Sequence, residues 1–175
     1  MGPATSAAAP GTPTVDGEGV HAVRPVIVFR TGSRWLALAA TQVREVVGVL
    51  PSHRVPHRRD PRFVGLVNVR GELVPCIDIA ALLGIERATA ESPKAHPGHR
   101  WPRTVLIEQD GQTLAFQVDE VDAVHPVAGE ALQPVPPGEP DAAGRLTQAQ
   151  VDLPVGRTAL IDSDLLWYAV NEVWR

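Results

Sequence analysis

The feature that most constrains this chain is that it writes one pattern twice. Residues 26–29 (VIVF) and 34–38 (RWLAL) flank Thr31-Gly32-Ser33, and residues 104–109 (TVLIEQ) and 112–118 (QTLAFQV) flank Asp110-Gly111. Asp-Gly between apolar runs signals a hairpin, because a type I′ turn needs positive φ at both central residues. A shift of 78 positions lays Leu36 on Leu114, Ala37 on Ala115, Leu38 on Phe116, Val43 on Val121 and Val46 on Val124. A second echo follows at a shift of 84: Ile77-Asp78 with Leu82-Leu83 against Ile161-Asp162 with Leu165-Leu166. The different shift needs only an extra loop in the second copy.

A chain that twice writes a hairpin, an apolar strand and a strand entering a Leu-rich helix builds two similar lobes. Four or five short strands leave unpaired edges unless the sheet curls, so two small barrels are expected. With 17 prolines and 15 glycines the chain is rich in turns and poor in long helices, which favours a mainly β class. Short helices are predicted over 79–83, ended by Gly84 as a left-handed cap, and over 163–167 or slightly beyond, with a helical turn near 41–45. Residues 1–23 carry almost no bulky apolar side chains and are expected to be a disordered tail. The folded domain is expected over 24–175: lobe 1 at about 24–85, a proline-rich linker at 86–103, and lobe 2 at about 104–175, with the chain free to cross between lobes. Residues 133–144 (QPVPPGEPDAAG) read as a surface loop.

Sixteen basic against twenty acidic residues give a net charge of -4, so the chain as a whole has no general attraction to nucleic acid phosphates. Cys76 is the single cysteine, which excludes an internal disulfide and suits a reducing compartment. No apolar run approaches the roughly 18 residues of a membrane helix. The first residues lack the pattern of a secretion signal, and a cytoplasmic protein without direct membrane insertion is expected.

Catalytic and metal chemistry finds little support. His53, Arg54, His57, Arg58, Arg59 and Arg62 form the densest basic run. Pro56 breaks any helix that would bring His53 and His57 together, and third and fourth zinc ligands are missing. Only Phe63 could stack a base beside this run. A solvated loop whose charge steers an acidic partner is the favoured reading; a small-barrel nucleic-acid binder using residues 53–62 is the alternative. Asp119, Glu120 and Asp122 read as surface, and His96 and His99 as solvated. No nucleophile elbow, zinc-protease motif, phosphate loop or dinucleotide fingerprint occurs. Cys76, inside an apolar run, reads as a buried structural thiol. Neither an enzyme nor a cofactor or metal is expected.

The most regular apolar segment, FVGLVNVRGELVPCIDIAALLG (63–84), resembles the signature of the CheW-like chemotaxis coupling proteins: Asn-x-Arg-Gly, then apolar-Pro-x-x-Asp and a short Leu-rich helix. Glu45-Val46 and VPHRRDPRF look like the lead-in of that family. The resemblance covers about 25–167 and implies two SH3-like five-stranded β-barrel lobes, in agreement with the repeat. It also implies a non-catalytic adaptor joining the cytoplasmic tip of a chemoreceptor, a methyl-accepting chemotaxis protein, to the regulatory domain of a CheA-like histidine kinase, at receptor arrays on the inner face of the membrane.

Within the signature Gly71 permits a tight turn and Asn68 satisfies local backbone groups. Arg70 projects a guanidinium that forks onto a partner's carboxylate or braces the lobes, against the plainer reading of a solubilising arginine at a hairpin tip. Matched through Val-x-Glu-Val and the start of the second repeat, the receptor groove of the family would involve Val43, Glu45, Val46, Thr104 and Val105, each valine being equally open to a core role. Ala37 and Ala39 depart from the family pattern, and so does RLTQAQVDLPVG (145–156).

Overall fold

The computed structural model describes residues 22–87, 101–136 and 142–174; residues 1–21 of the proposed tail, His96 and His99, most of the linker and residues 137–141 of the proposed surface loop lie outside them. Val23, placed in the tail from the sequence, opens the first strand, and residues 142–144, placed in that loop, are helical. Among the described residues eleven strands form two sheets. The first repeated hairpin is β1 (Val23–Thr31) and β2 (Arg34–Ala39), the second β7 (Arg103–Gln109) and β8 (Gln112–Val118). After the first come β3 (Val43–Val47), β4 (Ser52–His53), β5 (Phe63–Val69), β6 (Glu72–Ile77) and α1 (Ile79–Leu83). After the second come β9 (Glu120–Ala128), α2 (Ala142–Leu146), β10 (Thr147–Leu153), β11 (Gly156–Ile161) and α3 (Ser163–Trp174).

The hairpins are exchanged. One sheet runs β10-β11-β2-β1-β9, so the first hairpin sits among strands of the second half. The other runs β3-β7-β8-β6-β5-β4, with the second hairpin among strands of the first half. Each hairpin is held by a parallel ladder on one side, Leu160 opposite Ala37 in one sheet and Cys76 opposite Ala115 in the other. The two shifts read from the sequence convert one of these pairs into the other. On the opposite side even the bulges match: Val43 and Val46 face Ile107 and Val105, while Val121 and Val124 face Phe29 and Ile27. Five strands of each sheet correspond; β4 makes the second sheet six-stranded, and its counterpart is the single bridge from Gln133 to Gln150.

Both sheets curl. In a flat sheet six strands wide the outer strands would lie about 24 Å apart. Residues 48–51, which join β3 to β4 at opposite edges, bridge about 18 Å at most. Curling gives each strand an inner and an outer face, and on the hairpin strands β1, β2, β7 and β8 and their parallel neighbours β6 and β11 both are buried. Val26, Val28, Ala37, Val127, Val151 and Leu160 fill one curl; Val67, Val69, Val74, Cys76, Leu106 and Ala115 fill the other. The alternate residues, among them Phe29, Leu36, Leu38, Val105, Ile107, Leu114 and Phe116, meet between the sheets in the largest core, which α1 and α3 complete. This double burial explains why the strands read as near-continuous apolar runs.

Asp78 caps α1 by accepting from Ala81 N (3.1 Å), and Asp162 accepts from Leu165 N (3.0 Å) in the same way, so the second echo is a pair of N-caps. Gly84 ends α1 in the left-handed region, as expected. Two local expectations change. The turn near 41–45 is a 3-10 turn at Ala40–Gln42 that gives way to β3, because Val43 and Val46 are drawn into the β7 ladder. α3 runs to Trp174, beyond the predicted stop near 167, because Leu166, Val170 and Val173 recur at helical spacing and are buried.

Because every strand of the central core belongs to an exchanged hairpin or its partner, Phe116→Ala should lower stability by about 3–5 kcal/mol while leaving one unfolding transition. Calorimetry with matching fluorescence and circular dichroism would check this; two separated transitions would show that the sheets unfold independently.

Candidate functional site

The turn between β5 and β6 has Arg70 and Gly71 at its centre, both with positive φ (52° and 92°). An arginine in the left-handed region is uncommon. Asn68 holds the turn by accepting from Gly71 N at 2.7 Å, as the sequence suggests. The curl brings this tip to β3, across β7 and β8. There Arg70 forks onto Glu45, Nη1 to Oε1 at 3.0 Å and Nη2 to Oε2 at 2.7 Å.

The residues on either side pair in the opposite sense. Arg44 Nη1 donates to Glu72 Oε2 (3.3 Å) and to Thr113 Oγ1 (3.1 Å), and its Nε lies 3.7 Å from Glu108 Oε2. Arg44-Glu45 on β3 is thus cross-linked to Arg70-Gly71-Glu72 on the hairpin by two crossed ion pairs. The β3 bulge between Val43 and Glu45 makes this possible. It lets Val43 and Val46 both pack on the central core while Glu45 stands opposite Leu106, a residue of the inner core.

Exposure separates the two members of the fork. The Glu45 side chain is 18% exposed and that of Arg70 75%. Arg70 therefore braces the curled sheet while most of its side chain stays in solvent. Solvent screening holds the contribution of such a pair to no more than about 1 kcal/mol.

The remaining groove residues divide. Val46 and Val47 stand opposite Val105 and Thr104 in the β3–β7 ladder. Val43 and Val46 are half-buried at its edge. Val105 is fully buried in the central core, and Thr104, also fully buried, accepts from Leu50 N at 3.2 Å. Gln117 Nε2 donates to Leu50 O at 2.9 Å, so the two side chains pin the link from β3 to β4. Thr104 and Val105 shape the ladder from within and offer no surface of their own. Sequence reasoning missed Arg44, Glu72, Thr113 and the neighbouring Leu73, which is 62% exposed. A signal was present in the dipeptide RE and the tripeptide RGE, whose charges match only if crossed.

Elsewhere the chemistry is quiet. Burial pushes the Cys76 thiol up to about 11, with the nearby Asp78 charge adding to the effect. Among the described residues no three His, Cys, Asp or Glu side chains group to hold a metal ion, and no helix is long and apolar enough to cross a membrane. The basic run is partly engaged within the chain. Arg62 binds Asp60 (2.6 Å), whose carboxyl is held below its usual range chiefly by that bond, and Arg58 donates to Trp174 O at 2.8 Å. Asp119 and Glu120, read as surface residues from the sequence, instead bind Gly32 N and Arg30.

Fold and site together define a mainly β protein of two exchanged, curled sheets whose most articulated surface is a crossed set of ion pairs. The CheW-like domain family matches residues 25–162, and the chain belongs to that family. It is 31% identical over 115 residues to a probable chemotaxis protein CheW of Rhizobium etli, spanning 65% of this chain and 67% of the relative. To the chemotaxis protein CheW of Rhizobium meliloti it is 29% identical over 114 residues, with the same coverage. The crystal structure of the scaffolding protein TtCheW from Thermoanaerobacter tengcongensis superposes with a TM-score of 0.65 at 22% identity, covering 81% of this chain and 90% of that one. That likeness shows the fold.

Two measurements check the site. Arg70→Ala and Arg44→Ala should each cost no more than about 1 kcal/mol in urea denaturation, as expected for exposed ion pairs. A thiol titrating near 11 is almost wholly protonated at pH 8. Labelling of Cys76 in the native state should therefore be at least about a hundredfold slower than in the unfolded chain.

Proposed function

We propose that this chain is a non-catalytic adaptor of a chemosensory array, coupling the cytoplasmic tip of a chemoreceptor to the regulatory domain of a CheA-like histidine kinase. It acts in the cytoplasm, at arrays on the inner face of the membrane. The observation that carries this reading is the family match over residues 25–162, which takes in both sheets and the whole crossed ion-pair site. The relatives' names as chemotaxis proteins and the neighbour's description as a scaffolding protein support it.

The docking surface is built from the signature. Asn68 and Gly71 fix the turn, Glu45 fixes the angle of Arg70, and the exposed side of that guanidinium meets a partner carboxylate. A guanidinium carries five N–H donors, and Glu45 occupies two of them, which leaves donors for such a contact. Val43 and Val46 supply the apolar rim of the receptor groove, with Thr104 and Val105 as its support.

Co-sedimentation with receptor signalling domains and with the kinase regulatory domain tests this. The wild type should be enriched with both, and Arg70→Glu should lose about tenfold in affinity for at least one while keeping its circular dichroism spectrum. Absence of enrichment with either partner would overturn the adaptor reading. Unfolding of Arg70→Glu would leave Arg70 as a brace alone.

A further inference from the structure

The exchange forces the chain to cross between sheets twice, after β2 and after β8, and the two crossings occupy equivalent places in the repeat. They are built differently. The second is a single residue, Asp119, and it is tied to the β1–β2 turn by two hydrogen bonds. Its N–H donates to Arg30 O (2.9 Å) and its Oδ2 accepts from Gly32 N (2.7 Å). The next residue, Glu120, binds Arg30 Nε and Nη2 through Oε2 (3.2 and 3.1 Å), while Arg30 Nη1 donates to Gly32 O at 2.9 Å. The Arg30 guanidinium also lies 5.8 Å from the centre of the Trp35 ring. Gly32 is packed so closely that a Cβ there would meet Glu86 O at 2.4 Å, which seats the β1–β2 turn on the chain leaving α1.

Among the described residues the first crossing shows no such clamp. The shift of 78 places Thr41 and Gln42 where the second crossing has Asp119 and Glu120, and Glu108 where it has Arg30. The 3-10 turn at Ala40–Gln42 has no side-chain cap and contributes no buried residue. The side-chain oxygen of Gln42 is buried and accepts no hydrogen bond among the described residues, which leaves its lost hydration uncompensated. A cleft of about 220 Å³ lies beside it, lined by Ala39, Gln42, Val26, Val127 and Leu160 among others.

We propose that the two crossings are mechanically unequal: the Asp119 crossing is a fixed pivot, and the crossing at Ala40–Gln42 is a hinge through which the two sheets change their angle. The clamp opposes rotation at one point, while the uncapped turn and its cleft give the other room to move. The hinge leads directly into Val43 and Glu45, so a change of angle moves β3 relative to the first hairpin.

The test uses the isolated chain, so its result does not depend on the adaptor reading. Spin labels go on Val124→Cys and Leu73→Cys, exposed positions on opposite sheets, Cys76 being buried. Pulsed electron resonance should give a distance distribution that narrows with Gln42→Met, which removes the unpartnered oxygen, and broadens with Asp119→Ala. Hydrogen exchange provides a second readout. Protection of Gly32, Asp119, Glu120 and Val121 should exceed that of residues 40–43 at least tenfold, and Gln42→Met should close part of that gap. A distribution unchanged by Gln42→Met, or equal protection at the two crossings in the wild type, would overturn the proposal. Should Asp119→Ala fail to fold, Asp119→Asn supplies the weakened clamp and is expected to broaden the distribution less.

Discussion

The parallel ladders that seat each hairpin in the opposite sheet are the constraint on which the rest of the molecule depends. Leu160 beside Ala37 and Cys76 beside Ala115 join the two halves of the chain on one side of each hairpin, and the antiparallel β1–β9 and β3–β7 ladders join them on the other. Once these ladders form, Leu36, Leu38, Leu114 and Phe116 must point between the sheets, and Ala37 and Ala115 into the curls. The small residues lie where a curled sheet leaves least space, and the large ones where two sheets meet. Neither sheet is complete without the other half of the chain, so the fold is a mutual exchange of hairpins.

The electrostatic features sit on this frame and do not create it. The crossed pairs of Arg44 with Glu72 and Glu45 with Arg70 exist because the sheet curls enough to bring a hairpin tip to β3. Their positions at the surface make them weak as struts and useful as an oriented charge. Glu45, mostly covered, holds the guanidinium at one angle, and the exposed arginine keeps its other donors toward solvent. Apolar burial supplies the stability here, and the ion pairs supply direction.

Near-symmetry also makes the differences informative. The bulge in β3 recurs in β9, with Val43 and Val46 matched by Val121 and Val124, yet the charges around it do not recur. Position 45 is a glutamate in one copy and position 123 an alanine in the other. The crossings between sheets differ in the same manner, one clamped by Asp119 and the other left with an unpartnered Gln42 oxygen. The strand ladders and the Asp78 and Asp162 caps are shared between the copies, and the polar side chains at the bulges and the crossings are where they diverge.

Both hairpin turns, the cap at Gly84 and the turn held by Asn68 were legible in the sequence because each rests on residues within a few positions of one another, and the repeat and the mainly β class because similar patterns and turn residues recur along the chain. The extent of α3 was legible too, in the spacing of Leu166, Val170 and Val173, but was read too short. The partners of Arg70, the clamp around Asp119 and the full burial of Val105 were not legible. Arg70 and Glu45 were both picked out from the chain, yet 25 residues separate them, and only the curl of the sheet makes them a pair. Sequence by itself determined the two repeated hairpins, the turn between β5 and β6 and the starts of α1 and α3, since local propensity and periodicity set those. The tertiary structure alone decided which strands are neighbours, because strand order depends on how the apolar faces of distant segments bury one another.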